Sequence, residues 1–353
     1  MYRDFFGLSE RPFDLTTNPR FLFLSSGHRE ALSVLHYGMA GDKGITVLVG
    51  EAGTGKTTLA RAALAHYQSS EVLGLYLNNP TLTRQEFFEF VAHGVGLSPK
   101  VARSKATFLR ELDALLGERR RSGKLTALIV DEAQAIPTEI LEEIRMLANL
   151  ESPTSKHLSI LLAGQPELAT RLNEPALLPL KQRVALRTTL TPFRLLETAC
   201  YLAMRIRVAG GDPAAIFYRS AVERIHQVSR GVPRTINVVS DNALLTAFAL
   251  KAKPVSTDII AEVCRDLDVN MGGNEPVVAE AQAGSSQEPG AVPGGERRQL
   301  APDRGPGDLL GTPRPPAAVH RPEGNDDHAR KEPSASRSNE TAMARRAVIL
   351  SVD

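Results

Sequence analysis

Residues 50–58 read Gly-Glu-Ala-Gly-Thr-Gly-Lys-Thr-Thr, three glycines in six positions running straight into a lysine and two threonines. Ahead of them, Ile45-Thr46-Val47-Leu48-Val49 is β-branched and apolar, as a buried parallel strand requires, and Leu59-Ala60-Arg61-Ala62-Ala63-Leu64 behind them is a strong helix former. A strand, a glycine turn and a helix in that order bring several backbone N–H groups to one point and aim the positive end of the helix dipole there. The spacing is that of the phosphate loop GxxxxGK[ST]. Gly50, Gly53 and Gly55 are expected at positive φ. The stretch Gly50, Glu51, Ala52, Gly53, Thr54, Gly55, Lys56, Thr57 and Thr58 is expected to cradle the phosphates of a nucleotide, with Lys56 on the β and γ oxygens and the Thr57 hydroxyl on a Mg²⁺ ion.

Beyond this loop and its helix the chain alternates. Val72–Leu77, Leu125–Val130, Leu158–Ala163 and Val184–Leu190 read as further strands, and helical patterns lie between them. Thr83 opens one helix, Ser104 to Arg121 forms another with Gly123 just past its end, and Thr138 is read as the cap of a third running to Leu150. Strands alternating with helices predict an α/β fold of the P-loop NTPase kind, a parallel sheet sandwiched by helices. From Arg194 to Asp268 the pattern is helical throughout, the mark of a small all-α lid domain. The expected division is 1–192 for the sheet domain with its N-terminal segment, 193–270 for the lid, and 271–353 for a tail.

Composition separates the tail from the rest. Beyond residue 270 there is no Phe, Tyr or Trp, and ten of the 23 prolines fall there. Such a segment lacks the apolar surface to offset its ordering entropy and is expected to be disordered. Charge is balanced, with 32 basic against 28 acidic residues up to position 270 and 10 against 12 beyond. Nucleic-acid binding is therefore not demanded. The run Arg119-Arg120-Arg121 with Lys124 reads as a solvated helix end. Cys200 and Cys264 form no ligand-spaced pair, no segment approaches the length of a membrane span, and the opening residues are too short and mixed for a leader, so a cytoplasmic protein is expected.

The strand Leu125–Val130 closes in Asp131-Glu132-Ala133-Gln134. In an open parallel sheet ligands sit at the carboxyl ends of the strands, so both carboxylates are expected in the crevice of the phosphate loop. Asp131 suits the Mg²⁺ shell, and Glu132 suits the base that polarises the attacking water.

Together these two motifs resemble the AAA+ class of P-loop ATPases, and more closely the ExeA/GspA-like secretion ATPases and their relatives TniB, MuB and TnsC. Met1-Tyr2-Arg3-Asp4-Phe5-Phe6-Gly7-Leu8, Pro12-Phe13, Tyr37-Gly38, Gly164-Gln165-Pro166-Glu167-Leu168 and Gly231-Val232-Pro233-Arg234-Thr235-Ile236-Asn237 carry the closer likeness, which extends to about residue 268. The resemblance implies that Gln165 senses the γ-phosphate or orients the water, that Arg183, or failing it Arg187, is an arginine finger offered to a neighbouring subunit, and that Arg234 is a second sensor in the lid. It implies a lid helix over Glu197–Ile206 with Tyr201, Leu202 and Ile206 in its core. Phe13, Phe21 and Phe23 either wall the adenine or pin the N-terminal segment. In function it implies a homo-oligomeric, Mg²⁺-dependent ATPase that assembles or remodels a protein partner, an export or secretion complex; the alternative is an ATP-gated DNA-binding adaptor of the transposition kind. After residue 268 that family continues into a membrane span and a peptidoglycan-binding module, where this chain has its Pro/Gly-rich tail, so no envelope anchor is expected.

Overall fold

Five apolar runs become five parallel strands: β1 (Ile45–Gly50), β2 (Val72–Leu77), β3 (Leu125–Val130), β4 (Ser159–Gly164) and β5 (Val184–Leu190). Their order across the sheet is β2-β3-β4-β1-β5. The computed structural model describes residues 2–16, 18–40, 43–67, 71–78 and 81–267; the segment expected to be disordered, 271–353, lies outside them. Ahead of β1 come α1 (Tyr2–Phe6) and α2 (Ser26–Ala40), and α3 (Lys56–Ala65) comes after it. Between β2 and β3 lie α4 (Arg84–Val95) and α5 (Lys105–Arg121), between β3 and β4 α6 (Thr138–Leu147), and between β4 and β5 the short α7 (Pro166–Arg171) and α8 (Leu178–Lys181). After β5 come α9 (Leu195–Val208), α10 (Pro213–Ile216), α11 (Arg219–Ser229), α12 (Pro233–Ala249) and α13 (Thr257–Asp266).

The two-residue period of a strand sorts the core onto two faces. Ile45, Val47, Val49, Leu128, Val130, Ile160 and Leu162 pack with α4, α5 and α6, whereas Leu48, Ala127, Ile129, Leu161 and Ala163 pack with α2 and α3. Only a strand covered on both sides can be apolar at every position, and β1 is buried along its whole length. β5, at the edge, alternates between exposed and half-buried residues instead.

Local signals set the boundaries of α4 and α5. Thr83 and Glu86 close a capping box on α4, Ser104 caps α5, and Gly123 at φ +74° ends α5 with its N–H on the Arg120 carbonyl. Thr138 is not the cap of α6. Pro137 holds that position without a side-chain bond, Thr138 is the first helical residue, and its hydroxyl accepts from Arg171 Nη2 at 3.3 Å. The helix stops at Leu147, short of Leu150.

A third core gathers α9, α11, α12 and α13 around Tyr201, Ile206, Ile225, Ile236 and Ile260. Tyr2, Phe6, Leu8, Phe13 and Phe21 bury in this helical cluster and not against the sheet, although residues 1–192 were expected together. Tyr2 also donates its hydroxyl to Asp241 at 2.5 Å. No helix among the described residues is long and apolar enough to cross a membrane.

Candidate nucleotide site

The strand order places the chemistry. β3, β4 and β1 are neighbours, so their carboxyl ends set Asp131 and Glu132, then Gln165, then the loop from Gly50 side by side along one sheet edge. The chain reaches this arrangement by leaving β1, running out to β2 and returning through β3 and β4, so Thr57 and Asp131, 74 positions apart, meet.

In the loop, Gly53 and Gly55 take φ +80° and +100°. Gly50 does not have positive φ; it is required for space, since a Cβ there would lie 2.8 Å from Thr54 Oγ1 and 3.0 Å from the Leu190 carbonyl. Gly55 is also the residue that opens α3, with no side chain capping the first turn, so the positive end of the helix faces the cleft. Lys56 is buried, and its Nζ donates to the carbonyls of Gly50 at 2.8 Å and Glu51 at 3.1 Å. Burial lowers its pKa, against the opposing pull of Glu132, Asp131 and Glu167. Glu51 takes part through its carbonyl, which also accepts from Thr54 Oγ1 at 2.8 Å. Ala52 is exposed at the loop tip, and Thr58 lines the cleft one residue beyond Thr57.

Opposite the loop, Asp131 collects three donors: Thr57 Oγ1 at 2.5 Å and Tyr76 Oη at 2.6 Å on Oδ2, and the Glu132 N–H at 3.0 Å on Oδ1. Because the Thr57 hydroxyl gives its proton to Asp131, its oxygen lone pairs are left for a cation, the donor chemistry that a hard divalent ion takes. Thr57 Oγ1 and the Asp131 carboxylate are hard oxygen donors, a set that fits a Mg²⁺ ion taking its other ligands from phosphate and water.

Glu132 has φ +50°, rare for a residue with a side chain. Its Oε2 accepts two amides, Gln134 Nε2 at 2.6 Å and Gln165 Nε2 at 3.1 Å. Burial works to raise its pKa, but these amides and the charge of Lys56 outweigh that and hold it below the usual carboxylate value. Gln134 meanwhile accepts the Gln165 N–H on Oε1 at 3.0 Å, so one side chain spans both partners. Its role carries no sequence signal, and neither does that of Arg171, whose Nη1 holds the carbonyls of Gln134 at 2.5 Å and Ile136 at 2.8 Å.

A cavity of about 400 Å³ opens between the loop and the helical domain, within the range of small-molecule sites. Arg234 lines it and donates its backbone N–H to the Gly53 carbonyl at 3.2 Å. The aromatic wall consists of Phe21, Phe23, Phe193 and Tyr201. Phe13 is not part of it, packing edge-on against Phe217 with centroids 6.1 Å apart. Tyr201, expected only in the lid core, both lines the cleft and donates to Asn237 Oδ1 at 2.8 Å. The buried Arg205 binds Tyr201 Oη at 2.7 Å and the carbonyls of Pro12 and Asp14, and its guanidinium lies 4.8 Å from the Phe21 ring. Arg183 and Arg187 are both exposed and do not line this cavity. Arg119 is not a solvated helix end: it is half-buried and bound to Thr126 and the Leu125 carbonyl, while Arg121 pairs with Glu118 at 2.9 Å.

Residues 39–172 match the family described as AAA domain. Over 250 residues the chain is 39% identical to the general secretion pathway protein A of Aeromonas hydrophila, a match covering 70% of this chain and 45% of that protein. The chain thus spans less than half the length of that relative. Among solved structures, Cdc6p from Pyrobaculum aerophilum has a TM-score of 0.56 at 16% identity, covering 72% of this chain and 70% of that one. ORC2 of Aeropyrum pernix, in its ADPNP–ADP complexes, has a TM-score of 0.53 at 19% identity, covering 73% and 72%. At these identities the likeness is one of fold.

Proposed function

We propose that the chain, whose residues 39–172 match the AAA domain family, binds ATP with Mg²⁺ in the cleft above β1, β3 and β4 and hydrolyses it to ADP and phosphate. The observation that carries this reading is the meeting of Lys56, the Thr57–Asp131 pair and the Glu132–Gln165 pair along three adjacent strands. Lys56 and the N–H groups of the loop bind the phosphates, and Arg234 closes on them from the lid. Thr57 and Asp131 hold the cation, which when bound neutralises charge on the phosphate oxygens. With Oε2 of Glu132 fixed by two amides, Oε1 faces the water. As the water oxygen forms its bond to the γ-phosphorus, its proton passes to Glu132. The bond from that phosphorus to the bridging oxygen breaks, and its electron pair leaves with ADP.

Turnover is proposed to drive assembly or remodelling of a partner complex by a homo-oligomer in the cytoplasm, where ATP is supplied. The named relative supports a secretion complex as that partner. The DNA-adaptor reading loses support from Arg119 and Arg121, which serve their own helix and strand end. Replacing Glu132 by Gln tests the core of the proposal: ATP binding should persist while turnover falls by roughly a hundredfold or more. Undiminished hydrolysis in that variant would remove Glu132 from its role. Duplex DNA that leaves the rate unchanged and shows no salt-dependent association closes the adaptor alternative.

A further inference from the structure

The phosphate loop is held in shape by two donors that lie outside it. From α12 the Arg234 N–H reaches the Gly53 carbonyl at 3.2 Å, and from α2 the His28 ring reaches the next carbonyl, that of Thr54, with Nε2 at 3.0 Å. A trans peptide sets C=O and the following N–H on opposite sides, so turning the Thr54 carbonyl toward His28 turns the Gly55 N–H away from it.

The ring's protonation is set by its partners. A carbonyl can only accept, so Nε2 carries the hydrogen, and Nδ1 accepts from the Ser25 hydroxyl at 2.8 Å. Ser25 is fixed in turn by accepting the His28 backbone N–H at 3.3 Å at the start of α2. Burial lowers the His28 pKa despite the Thr54 carbonyl, which keeps the ring neutral. The other side of the ring meets Phe193, centroids 5.4 Å apart, and the Phe193 N–H donates to the Gly231 carbonyl at 2.8 Å. Phe193 lies between β5 and α9, where the chain passes from sheet to lid. A Cβ on Gly231 would fall 2.0 Å from the Phe193 carbonyl oxygen, so this joint has no slack.

We propose that His28 is a positioning residue for nucleotide binding: its Nε2–H fixes the Thr54 carbonyl so that the Gly55 amide faces the phosphates, and its ring ties the loop to the Phe193 joint of the lid. The inference rests on the reading of the cleft as an ATP site. A histidine that merely filled space would need neither the Nε2 tautomer nor a loop carbonyl as its acceptor.

The test uses the full chain, Mg²⁺ and the fluorescent analogue mant-ATP, with steady-state hydrolysis and nucleotide-free melting measured on the same samples. Glutamine can place its amide nitrogen where Nε2 lies, whereas asparagine reaches only the Nδ1 position. His28→Asn and His28→Ala should weaken mant-ATP binding and raise KM for ATP roughly tenfold, kcat falling less, and His28→Gln should stay within about threefold of the parent. Lys56→Ala separates the two readings: unchanged mant-ATP binding there would overturn the nucleotide site itself. Binding lost in Lys56→Ala but kept in His28→Asn would overturn the positioning role alone. His28→Gln as weak as His28→Asn, with equal nucleotide-free melting, would overturn the hydrogen-bond account. If His28→Ala melts early, the Gln and Asn variants decide.

Discussion

Asp131 illustrates how little of a site's support shows in a motif. Its carboxylate is read easily at the end of an apolar strand, yet one of its two hydroxyl donors, Tyr76, lies in a run where a tyrosine counts as one more apolar residue. The partners are 55 residues apart and meet because β2 and β3 pair in register, Tyr76 opposite Ile129. Burial first, and then the Asp131 charge, push the Tyr76 phenol up, so it remains a donor at any working pH. Tyr76→Phe keeps the ring in place under Arg61, 5.2 Å away, and removes one donor from the carboxylate. The expected loss is about 1–2 kcal/mol of stability, with a higher Mg²⁺ requirement for hydrolysis, read by melting and by ATPase rate against Mg²⁺ concentration. Gly50 teaches the complementary lesson. Its necessity was legible in the loop pattern, but the reason is the lack of room for a Cβ against Leu190 on β5, which no local pattern reveals.

Among the elements, α7 has an influence out of proportion to its six residues. Its N-cap Gln165 bonds Glu132 and Gln134, and its last residue, Arg171, holds the carbonyls of Gln134 and Ile136 and the Thr138 hydroxyl. One short helix thus grips the loop 132–138 from both ends and keeps Glu132 in its left-handed conformation, a strained state that persists only where surroundings impose it. On the proposed function, Arg171→Ala should lower kcat roughly tenfold while mant-ATP affinity stays within about twofold, because the proposed base Glu132 loses its placement and the proposed phosphate contacts do not. Equal loss of affinity and turnover would show instead a general collapse of the cleft. The strand end bearing Asp131 and Glu132 was readable because polar residues stop an apolar run there, and Gln165 came only through the resemblance carried by Gly164–Leu168. Arg171 was not, since its role depends on the length of α7 and on where β4 lies beside β3.

At the scale of the whole molecule, the N-terminal segment shows where sequence reading stopped. Tyr2, Phe6 and Phe13 are too irregularly spaced to declare a face, and only the folded chain shows that they bury with α9, α11 and α12. Sheet and lid sides each carry histidines whose pKa is lowered, chiefly by burial: His28 and His36 on α2, His226 on α11. Unfolded, these groups take protons near their ordinary value of about 6.5, above their folded values, so acidification feeds the unfolded state. Their stabilisation is complete above that pH and is lost as pH falls toward the folded values. The melting temperature should therefore drop between about pH 7.5 and 5.5, and less so in His28→Gln. Arg183 poses the last question at this scale. It precedes β5, at the end of the sheet opposite the phosphate loop, and is exposed outside the chain's own cavity. If it serves hydrolysis it must reach the cleft of a second copy, completing a site that one chain leaves open. Arg183→Ala and Lys56→Ala should each be inactive alone. Mixed in equal amounts they should recover activity, up to about one quarter of the parent rate when interfaces form at random, since one variant supplies the loop and the other the arginine. Recovery in the mixture of Arg187→Ala with Lys56→Ala, and none with Arg183→Ala because that variant is active by itself, would transfer the role to Arg187.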